Sequence, residues 1–129
     1  MNEHGFIKSV HNKLSKEVYK WKIHDTYTGG VPDAFYAGPA GVLFVEYKYI
    51  PKLPSRNNTS LNFKISQLQI QWLQNALDYP LKVALIIGHQ SSGYILTRSF
   101  DSKVTKEDFI TGHYSVSSIA KWIEEQTLP

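Results

Sequence analysis

The run from Val42 to Tyr49, Val-Leu-Phe-Val-Glu-Tyr-Lys-Tyr, constrains this chain more than any other stretch. It is nearly continuously apolar, interrupted only by Glu46 and Lys48, and reads as a strand. Side chains alternate faces along a strand, so Glu46 and Lys48 point one way while Val45 and Tyr47 point the other. Charges in so apolar a strand are costly unless they pair or bind a metal. A Glu–Lys pair meets part of that cost, and a metal is the other reading. Upstream, Val31-Pro32-Asp33 supplies a second carboxylate beside a proline that restricts the local backbone and fixes where Asp33 sits. Two acidic oxygen donors suit a hard divalent ion such as Mg²⁺, and a nearby lysine can orient or activate a water. These residues are equipped for metal-assisted phosphodiester hydrolysis.

The flanking pattern shows how they converge. Val31 to Tyr36 reads as a short strand and Gly38-Pro39-Ala40-Gly41 as a turn, making a β-hairpin with Val42 to Tyr49. Before it, Phe6, Ile7, Val10, Leu14 and Val18 recur at helical spacing, which predicts an amphipathic helix from about His4 to Tyr19. Tyr19 to His24 alternates apolar and polar as a strand or extended arm. Thr26 to Gly30 is a loop whose glycines let the chain turn into the hairpin.

After the hairpin, Pro51 to Leu61 reads as a mobile loop. Ser66-Gln67-Leu68-Gln69 is a capping-box pattern opening a helix, with Leu68, Trp72, Leu73 and Ala76 on its apolar face and an end near Tyr79-Pro80. Lys82 to Gly88 looks like a buried central strand. Gln90 to Gly93 turns into a strand from Tyr94 to Thr97. Val104 to Ile110 holds a short helix. Val116 to Gln126 holds a last one, with Ile119, Ala120, Trp122 and Ile123 facing inward. The order indicates a single α/β domain over 1–129, a mixed central β-sheet flanked by helices.

Composition narrows the class. A chain of 129 residues with 42% hydrophobic and 19% charged residues suits one folded core. No apolar run approaches the roughly 20 residues that span a bilayer, and the polar opening Met1-Asn2-Glu3-His4-Gly5 is unlike a secretory signal. Cysteine is absent, which excludes disulfides and thiolate zinc sites and suits a reducing, cytoplasmic setting. The net charge is only +3, but from Tyr47 to Leu77 there is no Asp or Glu, while Lys48, Lys52, Arg56 and Lys64 are present. Such a segment beside two carboxylates suits a polyanionic substrate, with Lys52, Arg56 and Lys64 as candidate nucleic-acid contacts. A solvated loop with a few lysines is the alternative.

At these residues the chain resembles the PD-(D/E)-x-K nucleases. Gly30-Val31-Pro32-Asp33, the hairpin turn, and Phe44-Val45-Glu46-Tyr47-Lys48 match that signature in composition, order and spacing. Ser66-x-x-Gln69-x-x-Trp72-Leu73 resembles the helix start of the virus-type replication-repair (VRR-NUC) branch. The resemblance implies a restriction-endonuclease-like core. It implies that Asp33, Glu46 and the Tyr47 carbonyl bind Mg²⁺ or Mn²⁺, that Lys48 stands near the attacking water, and that Gln69 touches the water, the phosphate or Lys48. A first-helix glutamate often completes such sites; Glu3 is the candidate and Glu17 the second. The implied activity is structure-specific cleavage of branched DNA, a Holliday junction or flap, by a homodimer in recombination, repair or replication, in the host cytoplasm if the protein is viral. A catalytically silent module that holds branched nucleic acid, and a nuclease acting on RNA, stay open.

Other residues have plainer readings. His4, His11, His24, His89 and His113 are scattered without metal-ligand spacing and read as surface or structural. Trp72 and Trp122 fall on apolar patterns and read as core. Trp21, between Lys20 and Lys22, could stack on a base or sit at an interface. Gln69 could simply cap its own helix. Asp101 and Asp108 read as loop residues without partners.

Overall fold

Local signals set most element boundaries. A computed structural model describes residues 1–23, 29–79 and 81–129. The Asn2 side chain accepts from the Gly5 N–H and opens helix α1 (Glu3–Lys13), which buries Phe6, Ile7 and Val10. The helix does not run on to Tyr19. Leu14 turns extended, and the Ser15 N–H donates to the Glu124 carboxylate at 2.8 Å. Strand β1 (Tyr19–Lys22) follows, exposed at all four residues. The expected continuation to His24, and the loop residues Thr26 to Thr28, lie outside the described residues.

Strand β2 (Ala34–Gly38) starts three residues later than expected, so Val31, Pro32 and Asp33 precede it. It joins β3 (Gly41–Tyr49) through the two-residue turn Pro39-Ala40, with Gly38 opposite Gly41. Helix α2 (Gln67–Asp78) carries the expected capping box between Ser66 and Gln69. Its buried face is Ile70, Leu73 and Ala76; Leu68, expected to face inward, is 57% exposed. Leu68 sits in the first turn, where its side chain lies against Gly29.

Strand β4 (Lys82–His89) turns tightly into β5 (Ser92–Leu96), which begins and ends earlier than expected. Helix α3 (Lys106–Gly112) is N-capped by Thr105, and Asp108 accepts from the Thr105 N–H at 2.9 Å. Asp108 is therefore partnered, contrary to its reading as a loop residue. A two-residue strand β6 (Tyr114–Ser115), which the sequence pattern did not show, leads into α4 (Val116–Thr127).

The strands form one six-stranded sheet in the order β1-β2-β3-β4-β5-β6. Among the described strands only β3 and β4 pair in parallel. Alternation then divides β3 between two layers. Leu43, Val45 and Tyr47 pack with Phe6, Val10, Ile119 and Ile123 from α1 and α4. Phe44 packs instead with Trp72 and Leu73 of α2, so Glu46 and Lys48, in step with Phe44, share the α2 face. Ala84 and Ile86 of β4 join the first layer, and Val83, Leu85 and Ile87 the second. Gly88 lets α1 approach closely, because a Cβ there would stand 2.8 Å from the Phe6 ring. The segment from Pro51 to Leu61, read as a mobile loop, is tied to α3. The Leu61, Lys106 and Glu107 N–H groups bond the Val104, Thr59 and Asn57 carbonyls at 2.7, 3.0 and 3.0 Å. Among the described residues no helix is long and apolar enough to cross a membrane.

Candidate active site

The site starts where the β2–β3 ladder stops. Continued past the pair Ala34↔Val45, the register would set Pro32 opposite Tyr47, and proline has no N–H to donate. The Asp33 carboxylate takes the place of a backbone partner: its Oδ2 accepts the Tyr47 N–H at 2.9 Å. Asp33 is held from its other side too, because its carbonyl accepts the Ile23 N–H at 2.7 Å. A strand residue's N–H and C=O leave on the same edge, so the Tyr47 carbonyl lies on the edge that Asp33 occupies.

Glu46 and Lys48 meet across one strand face. Lys48 Nζ is 3.4 Å from Glu46 Oε2, with Glu46 3% and Lys48 16% exposed. Gln69 ties the pair to α2. Its Nε2 donates to Glu46 Oε2 at 2.9 Å, and its Oε1 accepts from Lys48 Nζ at 3.1 Å and from the Ser66 N–H at 2.9 Å. The two readings of Gln69, helix cap and site residue, are thus the same geometry. One amide closes the capping box and clamps Glu46 and Lys48.

Lys48 only partly offsets the burial of Glu46. Burial, then the Asp33 charge, push the Glu46 carboxyl up to about 8 despite Lys48. Among the described residues Glu46 Oε1 is buried without a hydrogen-bond partner by strict geometry, and Asp33 is close enough to act on Glu46 both by charge and by a side-chain hydrogen bond. Glu3 lies at the start of α1 within the field of Asp33 and Lys48, and burial followed by Asp33 raises its pKa. Glu17 lies past the opposite end of α1. Among the described residues no three His, Asp or Glu side chains gather as a metal cage. The donor set is two carboxylates and a carbonyl. That set fits Mg²⁺, which keeps several waters and takes only one or two protein carboxylates beside substrate phosphates.

The candidate nucleic-acid contacts are Lys52, Arg56 and Lys64. Lys52 lines a cleft of about 630 Å³ with Ser55, Thr59, Ser60, Asn62 and Lys106. Lys106, unremarked in the sequence, comes there from α3. Arg56 is exposed in the same loop, and Lys64 is exposed just before α2.

The histidines are structural or superficial. His89 bonds the Ile50 carbonyl at 2.8 Å, and His113 stacks on Phe109 at 5.3 Å. His24 lies outside the described residues. His11 does more than expected. Its Nε2 is 2.7 Å from the Tyr36 hydroxyl, itself 2.7 Å from the Tyr47 hydroxyl. Burial, then Lys20 and Lys22, lower the His11 pKa to about 4. This chain of polar groups anchors the far face of Tyr47, the residue whose N–H holds Asp33. No linear signal marks it, since His11 and Tyr36 are 25 residues apart. Trp72 packs edge-on against Phe44 at 5.3 Å.

No family model matches the sequence, and no curated protein matches it. Among solved structures the chain is similar to Archaeoglobus fulgidus Hjc, a Holliday junction resolvase from an archaeal hyperthermophile. The TM-score is 0.58 at 13% identity, over 91% of this chain and 98% of that one. The fold is restriction-endonuclease-like. The expected α/β class and mixed sheet with flanking helices therefore hold.

Proposed function

We propose that this chain is a Mg²⁺-dependent, structure-specific endodeoxyribonuclease that hydrolyses phosphodiester bonds in branched DNA. One observation carries the reading: the Asp33 and Glu46 carboxyls lie close enough to interact, and Lys48 is 3.4 Å from the buried Glu46. The fold shared with a Holliday junction resolvase supports branched DNA as the substrate class. The Ser66–Gln69 helix start supports the virus-type branch.

Asp33, Glu46 and the Tyr47 carbonyl would hold the ion, with Glu3, which lies within the field of Asp33 and Lys48, as the candidate further ligand. The bound ion supplies Lewis acidity, lowering the pKa of water and neutralising charge on the phosphate oxygens. Lys48 carries three N–H donors; Gln69 takes one and Glu46 draws another, leaving a donor for a phosphate oxygen or the attacking water. Gln69 holds that ammonium in place, so its position does not have to be found anew at each turnover. Lys52, Arg56 and Lys64 would contact the flanking phosphates. A four-way junction has two strands to cut, which calls for two active sites and a homodimer.

The test is cleavage of four-way junction, flap, linear duplex and matched RNA substrates with Mg²⁺, Mn²⁺ or chelator. Branched DNA should be cut with either ion and not in chelator. Asp33→Asn and Lys48→Ala should each slow cleavage about a hundredfold or more. Cleavage that survives chelator, or that Asp33→Asn leaves intact, overturns the proposal; preferential cutting of RNA overturns its substrate.

A further inference from the structure

Strand β1 is a four-residue sheet edge whose side chains nothing in the proposed chemistry uses. Tyr19 and Trp21 are 61% and 59% exposed, although such aromatics are ordinarily drawn inward. Both lean edge-on against Phe35, at 6.3 Å each, and Phe35 packs on Phe44 at 5.3 Å. They thus stand on the α2 face, the face of Glu46 and Lys48, and Phe44 lies one side-chain step along β3 from Glu46. Lys20 and Lys22 alternate with them and line a different space. With His4, Lys8, His11 and Asn12 they border a cleft of about 360 Å³ between α1 and β1. Among the described residues that line the cleft there is no carboxylate, although Glu3 lies within the field of Lys22, and a lining of three lysines suits an anion.

We propose that β1 is a platform for unpaired nucleotides beside the cut. Tyr19 and Trp21 stack on successive bases, while Lys20, Lys22 and Lys8 hold the phosphates of the same strand at the sheet edge. Bases and backbone lie on opposite sides of a nucleotide, and the alternation of β1 offers aromatic faces on one side and ammonium groups on the other. A second copy of this chain fits the edge less well. Antiparallel pairing of two β1 strands would bring lysines together, and edge lysines act against such pairing. The inference rests on the nucleic-acid reading above and narrows it to substrates with single-stranded character at the site.

The test uses the full chain in chelator, so that binding is read apart from cleavage. The probes are an oligothymidine single strand and a blunt duplex of equal length. The single strand should quench tryptophan fluorescence, and the duplex should not. Trp21→Phe should remove most of the quench, since Trp72 and Trp122 are half-buried. Trp21→Ala with Tyr19→Ala should weaken single-strand binding at least about tenfold and leave duplex binding unchanged. Lys20→Gln with Lys22→Gln should lower the slope of log K against log salt for the single strand by about 1.4. All variants should keep the wild-type circular dichroism spectrum, because the replaced side chains are exposed. Unchanged single-strand affinity in both double variants overturns the platform, as does inorganic phosphate displacing the strand at low concentration. Conversion of a wild-type dimer to monomer by Trp21→Ala with Tyr19→Ala also overturns it, identifying β1 as a self-association edge. A wild-type chain that binds the single strand but cuts nothing with Mg²⁺ sinks the nuclease reading and leaves the platform standing.

Discussion

Glu46 holds its proton to about pH 8 in the metal-free protein because burial penalises the carboxylate and Asp33 repels it. The unfolded chain would release that proton near 4.5, so the folded state binds the extra proton between the two values. Stability contributed by Glu46 is therefore full below about 4.5 and lost as pH rises through about 8. His11 works in the opposite sense: lowered from 6.5 to about 4, it favours the fold above 6.5 and costs stability as pH falls. The two oppose each other below 6.5. Melting in chelator should thus show its steepest decline from about 6.5 to 8. Glu46→Gln should flatten it, and a wild-type melting temperature constant across that window would contradict the assignment. That Asp33, Glu46 and Lys48 lie near one another was legible in the sequence, because strand alternation and a hairpin leave few choices for where they point. His11 was not, because its partners Tyr36 and Tyr47 come from other strands.

Among the elements, α2 best shows how one local signal serves two ends. Ser-x-x-Gln predicts a helix start from backbone capping alone, and the helix begins there. That the same Gln69 amide reaches Glu46 and Lys48 depends on where α2 lies over β3, which no local pattern contains. The two roles separate by substitution. Ser66→Ala should cost about 1 kcal/mol of stability and leave cleavage within about twofold, since Gln69 keeps its site contacts. Gln69→Ala should cost a similar amount and slow cleavage at least about tenfold, read by chemical denaturation beside a single-turnover assay. Equal activity in the two variants would reduce Gln69 to a cap. Where the sequence misjudged element ends, tertiary contacts prevailed. Helix α1 stops at Lys13, and Ser15 beyond it is held by Glu124 of α4.

For the whole molecule, the buried carboxylate is a cost that a bound cation would offset, so the proposed metal site links metal affinity to global stability. A divalent ion at a hundredfold excess over its Kd should stabilise the fold by about 2.7 kcal/mol, raising the melting temperature most at pH 8, where Glu46 has begun to ionise. Asp33→Asn should abolish that rise. An ion that stabilises wild type and Asp33→Asn equally binds elsewhere.

The sequence by itself determined the hairpin, the central strands and the capped helix, and it singled out Asp33, Glu46 and Lys48, which the fold brings near one another. Hydrophobic period, turn residues and capping are properties of neighbours along the chain, and they read out at short range. The tertiary structure alone decided that Asp33 caps a broken ladder at Tyr47, that Gln69 clamps Glu46 to Lys48, and that Tyr19 and Trp21 stay outside the core. Each of those depends on which element packs against which, and that choice is made by burial across the sheet, between residues far apart in the chain.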